Sequence, residues 1–456
     1  MKELLLVSGL GVLALVAGLF GLRKLFKPIV LLGLLALIGL CIADWDTNEE
    51  VYNMLKMDNF ALAFTIVSSS IAFLWFISAA DYFNDDNNFS DHYALVLFTL
   101  TGGLLLVSFT NMVMLFLGIE ILSIPLFVLV GSNKTKLKSN EAAFKYFLLG
   151  SFASAFLLFG IALLYGATGS FDIATIATAS GANGVTPMFF TGMLLIMMSM
   201  AFKVSAAPFH LWTPDVYQGA PTNITAYMAT VVKTVAFAAF YRLFQNAFPS
   251  LQAEYALVLS IMCALTLLIA NITAAVQSNV KRMLAFSSIS HAGFMLIAIL
   301  TLGSKTDNVL LYYTLVYSIS SITAFAVLRE VKKYTEGNET IDGFKGLIRR
   351  QPLMTGSMIL ALLSMSGIPP LAGFMAKYLI FTSAVNNGYL WLTVIAIIAS
   401  LVGIYYYFKV IIAMFDKGEQ DEAKISLGLD QKVLLVICSI GMLLLAIFPD
   451  LILNLL

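Results

Sequence analysis

Long apolar runs separated by short polar breaks dominate the chain. A helix needs about 20 apolar residues to cross the hydrocarbon core of a bilayer. Runs of that kind lie at 3–22, 28–44, 60–79, 92–110, 111–131, 141–167 and 187–207. Seven more follow at 222–246, 252–276, 283–303, 308–330, 353–386, 389–415 and 431–452. The pattern predicts an all-α, polytopic membrane protein of about fourteen transmembrane helices. The first run lacks a basic n-region beyond Lys2 and a small-residue cleavage site, so it reads as a retained span rather than a signal peptide.

Composition agrees. Of 456 residues, 60% are hydrophobic and 11% charged, against about 25% charged in a soluble domain. Twenty-six Lys and Arg balance twenty-six Asp and Glu, which leaves no basic excess to attract nucleic acid. Cys41, Cys263 and Cys438 stand far apart in apolar runs, without the spacing of a zinc or iron–sulfur site. No dinucleotide fingerprint or Walker loop is present, so binding of NAD or ATP by this chain is not expected.

Basic residues in the breaks set a direction, because cytoplasmic loops are enriched in Lys and Arg. One side carries seventeen: Arg23, Lys24, Lys27, Lys134, Lys136, Lys138, Lys281, Arg282, Arg329, Lys332, Lys333, Lys345, Arg349, Arg350, Lys417, Lys424 and Lys432. The other carries Lys2, Lys56, Arg242 and Lys305. With an even number of spans, both termini are expected on the second, periplasmic side of a bacterial inner membrane. The acidic stretch Asp81–Asp91 is read as a cytoplasmic loop.

The remaining charges fall inside the apolar runs. Glu120, Lys145, Lys203, Lys233 and Lys377 are expected at membrane depth, with Lys409 nearer a span end. A central charge costs about 2.5 to 3.5 kcal/mol on insertion scales, which makes each a candidate functional group. Snorkelling or structural pairing is the plainer reading of any one lysine. It fails for the set, because four lysines face one obvious carboxylate, Glu120. Burial favours the uncharged amine, so unpaired buried lysines can act as a proton relay. Glu120, set near Lys145 or Lys203, would hold a lysine charged until a neighbouring charge draws it away.

Two segments break the helical pattern. Residues 201–223 place Pro208, Pro214, Gly219 and Pro221 just after Lys203, and 366–377 place Pro369, Pro370 and Gly373 just before Lys377. Proline removes an amide donor and clashes with the preceding turn, and irregular backbone in a membrane must be covered by protein or water. The breaks fall in the seventh and twelfth runs, five apart. That odd offset predicts inverted repeats formed by spans 4–8 (residues 91–246) and 9–13 (residues 247–415), flanked by 1–90 and 416–456. His210 lies in the first break and His291 in the tenth run; an imidazole titrates near neutrality and suits proton transfer.

Three motifs, PFHLWTPDVYQGAPT at 208–222, VQSNVKRMLAFSSISHAGF at 276–294 and SGIPPLAGFMAKYLIF at 366–381, resemble the subunit N family of bacterial NADH:quinone oxidoreductase, respiratory complex I. The likeness runs from about residue 90 to 415; the first 60 residues carry no matching motif. Tyr217, Gln218 and Gly219 stand where subunits L, M and multisubunit sodium/proton antiporters carry an acidic residue, and Lys377 stands where subunit M has glutamate.

By this resemblance Glu120 is the fifth-helix glutamate, Lys145 the extra sixth-helix lysine, Lys203 the lysine before the seventh-helix break, Lys233 the eighth-helix lysine and Lys377 the twelfth-helix base. The resemblance implies a subunit without its own redox centre, with NADH, FMN, iron–sulfur clusters and quinone in partner membrane and peripheral subunits. Protons would move from the cytoplasmic side through Lys233 and a Lys203–Glu120 pair tuned by Lys145, toward Lys377. The rival from another class is a subunit of a stand-alone cation/proton antiporter; a third reading is a structural scaffold.

Overall fold

The computed structural model describes residues 1–20, 23–79, 89–182, 185–303, 306–416 and 424–456. Residues 21–22 of the first run, residues 81–88 of the acidic Asp81–Asp91 stretch, Lys305 and Lys417 lie outside the described residues. Every apolar run coincides with a helix or a helix pair. The first half holds α1 (Lys2–Leu19), α2 (Arg23–Ala43), α3 (Asn59–Ser78), α4 (Phe89–Ser108), α5 (Met112–Val130) and α6 (Leu137–Thr168). A short α7 (Ile173–Ala182) precedes the broken pair α8 (Pro187–Val204) and α9 (Trp212–Gly219). Then come α10 (Thr222–Ala247), α11 (Gln252–Ala275), α12 (Val280–Leu300) and α13 (Thr306–Tyr334). The second broken pair is α14 (Pro352–Ser366) and α15 (Ala372–Asn386), followed by α16 (Leu390–Phe415) and α17 (Leu429–Ile447). Twelve of these, among the described residues, are long and apolar enough to cross a membrane; the other two apolar runs are α1 and the α14/α15 pair.

Local chemistry sets many of the helix ends. Asp58, Asn111 and Asn279 accept from the amides of Ala61, Val113 and Arg282, each at 2.9 Å. These caps satisfy donors that have no partner inside the helix. Thr186 does the same for α8, with Pro187 in the first turn, where its missing N–H costs nothing. Gly169 closes α6 in the left-handed conformation at φ 71°, which glycine adopts without a side-chain penalty. A two-stranded hairpin, β1 (Glu49–Val51) and β2 (Leu55–Met57), pairs Glu49 with Met57 and Val51 with Leu55. Its turn residues Tyr52 and Asn53 both take positive φ, the twist that tight hairpins require.

Helices α10 and α12 are buried along nearly all of their length and α13 along most of it, while α1, α2, α6, α16 and α17 present broad apolar faces outward. Apolar exteriors suit a lipid surround, which is how the chain reads as a multi-pass membrane protein. Arg242 near the end of α10 donates to both oxygens of Asp58 at 2.9 and 3.0 Å and to the Phe109 carbonyl at 3.0 Å. That fork fastens α10 to the start of α3 and the end of α4.

Both expected breaks are present. At the first, Ser205 takes φ 66°, and the freed groups find partners: the Ala207 amide donates to Thr266 at 2.8 Å and the Trp212 indole to the Phe202 carbonyl at 3.1 Å. At the second, Gly367 ends α14 at φ 80°, and α15 comes so close that a Cβ on Gly373 would sit 1.7 Å from the Ser364 carbonyl oxygen. Overpacking of this kind costs about 1 to 3 kcal/mol or more. Gly373→Ala should therefore lower the thermal midpoint of the detergent-purified protein by several degrees. Gly39→Ala, where nothing lies within 4 Å of the added carbon, should leave it unchanged; equal midpoints for the two would contradict this packing.

Candidate functional site

Lys203 ends α8 one residue before the first break and is 8% exposed. Its Nζ donates to Ser123 Oγ on α5 at 2.6 Å, and Ser123 in turn donates to the Ile119 carbonyl. Glu120, on the same turn of α5, accepts from Ser154 of α6. The expected Lys203–Glu120 ion pair is thus not direct among the described residues: two serine hydroxyls stand where the charges were expected to meet. A cavity of about 10 Å³ lined by Ser123, Ser154, Ser199 and Lys203 adjoins both serines, which is room for one water.

Lys233 follows a π-helical turn, Met228–Val232, in α10; such turns are frequent at functional sites because they re-aim the next side chain. Its Nζ donates to the Ser288 carbonyl at 2.7 Å and the Ser288 hydroxyl at 2.6 Å. One turn along α12, His291 meets the Tyr313 hydroxyl at 2.8 Å and the Tyr407 hydroxyl at 3.4 Å, through its two ring nitrogens. Tyr407 also contacts Ser287. A further turn along, Phe294 presents its ring to the Lys377 ammonium, 4.8 Å from the centroid, a cation–π contact. Lys377 donates to the Ser366 carbonyl and to Ser400, both at 2.9 Å.

One face of α12 therefore joins Lys233, His291 and Lys377. Residues 288, 291 and 294 recur at intervals of three and line one stripe of a helix. Among the described residues none of the three lysines Lys203, Lys233 and Lys377 has a carboxylate within ion-pair distance; hydroxyls and carbonyls hold them instead.

Lys145 sits elsewhere than expected. It is 40% exposed and pairs with Glu141 at 2.7 Å and Asp215 at 2.9 Å. It lies nine residues before Ser154, which is roughly 13 Å along a helix. The long α6 thus places Lys145 toward the basic end of the bundle and Ser154, not Lys145, beside Glu120. Asp215 also receives Arg282 at 2.9 Å, and Arg282 donates to Gln218 at 2.9 Å. His210 is buried in the first break and is not joined to the lysines. Lys409 donates to the Ala275 carbonyl at 3.1 Å, closing the end of α11.

Sequence reasoning missed the neutral partners Ser123, Ser154, Ser288, Tyr313, Tyr407 and Ser400. The signal for α12 was available: SSISH, residues 287–291, is a polar cluster in an otherwise apolar helix. It also missed Lys281, assigned to a loop but fully buried in the first turn of α12. Near it, Glu339 bonds Lys332 at 2.6 Å. Burial pushes the Glu339 carboxyl up, but the Lys281 charge and the Lys332 hydrogen bond outweigh it and hold the group below its ordinary value.

The arrangement has relatives. Residues 110–403 match the transmembrane family described as NADH:quinone oxidoreductase/Mrp antiporter. The chain is 44% identical to a NADH-quinone oxidoreductase subunit N of Cytophaga hutchinsonii, over all of this chain and 99% of the relative. It is 42% identical to the corresponding protein of Flavobacterium psychrophilum, over the full length of both. A chain of respiratory complex I from Thermus thermophilus superposes with a TM-score of 0.86 at 33% identity, covering 99% of this chain and 98% of that one. A chain of the Mrp complex from a Dietzia species gives a TM-score of 0.87 at 19% identity, covering 100% and 96%, and shares the fold. With a family match over residues 110–403, full-length identity of this level and a matching fold, the chain belongs to the subunit N family of NADH-quinone oxidoreductases.

Proposed function

We propose that this chain conducts protons along Lys203, Lys233, His291 and Lys377, as the antiporter-like membrane subunit N of a NADH-quinone oxidoreductase. The family assigns the electron-transfer chemistry to the whole enzyme, with NADH, FMN, iron–sulfur clusters and quinone held by partner subunits; this chain is a membrane subunit among them. The observation that carries the reading is the set of buried lysines held by neutral groups. An ammonium held by hydroxyls and carbonyls can give up its proton without leaving a carboxylate unpaired, whereas breaking a buried ion pair costs several kcal/mol. The α12 stripe sets Ser288 and His291 between Lys233 and the Phe294 ring that faces Lys377.

In the same reading, spans 4–8 and 9–13 are inverted repeats, residues 91–246 and 247–415, and the two broken helices are their corresponding members. The basic end faces the cytoplasm and both termini face the periplasm, following the charge bias. Uptake is from the basic end toward Lys233, and release is beyond Lys377. Lys203 and Glu120, each held by a serine hydroxyl beside a water-sized cavity, form the switch. Lys145, in its exposed pair with Asp215 and Glu141, tunes the basic end.

Two measurements test this. In membranes carrying the assembled complex, checked by native gel, Lys203→Ala should reduce both proton pumping and NADH:quinone reductase activity at least tenfold. Lys145→Ala, which loses exposed pairs worth well under about 1 kcal/mol each, should retain most of both. Normal pumping in assembled Lys203→Ala would remove these charges from the path and leave the scaffold reading. Purification decides the rival: the tagged chain should bring down a multisubunit complex with NADH:quinone reductase activity, whereas an antiporter subunit would travel with small partners and no such activity.

A further inference from the structure

Lys281 has no part in the relay, yet among the described residues it is the most enclosed basic side chain at the basic end, 1% exposed. Its Nζ donates to the Gln218 carbonyl at 3.2 Å and the Ala220 carbonyl at 2.5 Å. Those carbonyls close the C-terminal end of α9, where a short helix presents its negative pole. The Glu339 carboxylate stands 4.0 Å away. Glu339 is itself held in place by Lys332 at 2.6 Å and Asn279 at 3.4 Å. Backbone bonds fix the loop that carries it: the Val280 amide donates to the Glu339 carbonyl at 2.8 Å, and the Ile341 amide to the Ser278 carbonyl at 3.0 Å.

On the outer side of this cluster opens a polar basin of about 420 Å³. Gln218, Ala220, Asn279, Lys332 and Glu339 line it. Lys281 therefore lies directly behind a wall made of its own partners. On the inner side, residues 281, 285 and 288 share one stripe of α12 at intervals of four and three. Ser288, the partner of Lys233, is seven residues on, roughly 10 Å along the helix. Between them on that face of α12 lie Leu284 and Ala285, both buried, and Ala285 is the small one.

We propose that Lys281 is the plug of the proton-uptake mouth, closing the basin from Lys233 while it is pinned by Glu339 and the two α9 carbonyls, and opening it when that grip is released. This rests on Lys233 being a member of the relay. Lys281 acts as a positioning residue: it controls access and does not itself have to carry each proton. Because the plug is clamped between the end of the first broken helix and the loop after α13, a small shift of either element is enough to loosen it. The clamp thus connects the backbone break to proton access.

The test is thiol accessibility in the assembled complex. Ala285→Cys is introduced into this chain, and inverted membrane vesicles are treated with a small cationic methanethiosulfonate, with labelling of residue 285 followed by mass spectrometry. The native Cys41, Cys263 and Cys438 are buried and serve as internal references. Labelling should be slow with Lys281 present, at least tenfold faster with Lys281→Ala, and slow again with Lys281→Arg, which refills the volume and the charge. Glu339→Gln should accelerate labelling at least threefold, and it carries the same test should Lys281→Ala fail to assemble. An unchanged rate in either assembled variant overturns the plug. The labelling difference should persist in a Lys203→Ala background, so a failure of the relay reading would appear as normal pumping there and not as a change in accessibility.

Discussion

A lysine ammonium inside a membrane protein cannot be left without hydrogen-bond partners, and the architecture follows from how that demand is met. Hydroxyls and backbone carbonyls meet it here, where carboxylates would fix the charge. Ser123, Ser288, Ser400 and the carbonyls of Ser288 and Ser366 each take one bond from a buried lysine. Such partners stabilise the charged form modestly, by about 1.5 to 3 kcal/mol per bond to a charged group. They remain content as ordinary polar groups when the proton leaves. That tolerance of both protonation states is what a conducting site needs and a structural ion pair lacks.

The broken helices serve the same demand. A continuous helix consumes its own carbonyls, whereas an interrupted one leaves several free at its end. Ser366 at the end of α14 offers such a carbonyl to Lys377, and Gln218 and Ala220 at the end of α9 offer theirs to Lys281. Gly373 allows the two halves of the second break to touch, because no side chain fits between it and Ser364. Arg242 and Asp58, at the start of α3, provide the contrasting case: a bidentate pair with no freedom, suited to holding helices together.

Much of this was legible in the sequence. Apolar run length gave the helices, and the Pro and Gly clusters at 208–221 and 367–373 marked the breaks. Charge in apolar surroundings pointed to Lys203, Lys233 and Lys377, all of which are buried. Three features were not legible: a helix longer than its span or a side chain longer than a turn moves two of the charges away from the depth their positions suggest, and neutral partners separate the third pair. Lys145 lies in an apolar run, yet the 32-residue α6 carries it to the polar end of the bundle. Lys281 follows a polar break, yet its side chain turns inward beneath the α9 carbonyls. Glu120 and Lys203 were expected to touch, but their contacts run through serines, which no charge pattern reveals.

The central proposal is that the α12 stripe links Lys233 to Lys377. The most direct test is the number of protons moved per electron by assembled complexes carrying Ser288→Ala or His291→Leu, which remove polar steps from that stripe while leaving every buried lysine in place. Fewer protons per electron, or a joint fall in pumping and quinone reduction, is the predicted result; an unchanged ratio at unchanged turnover in both variants would contradict the account.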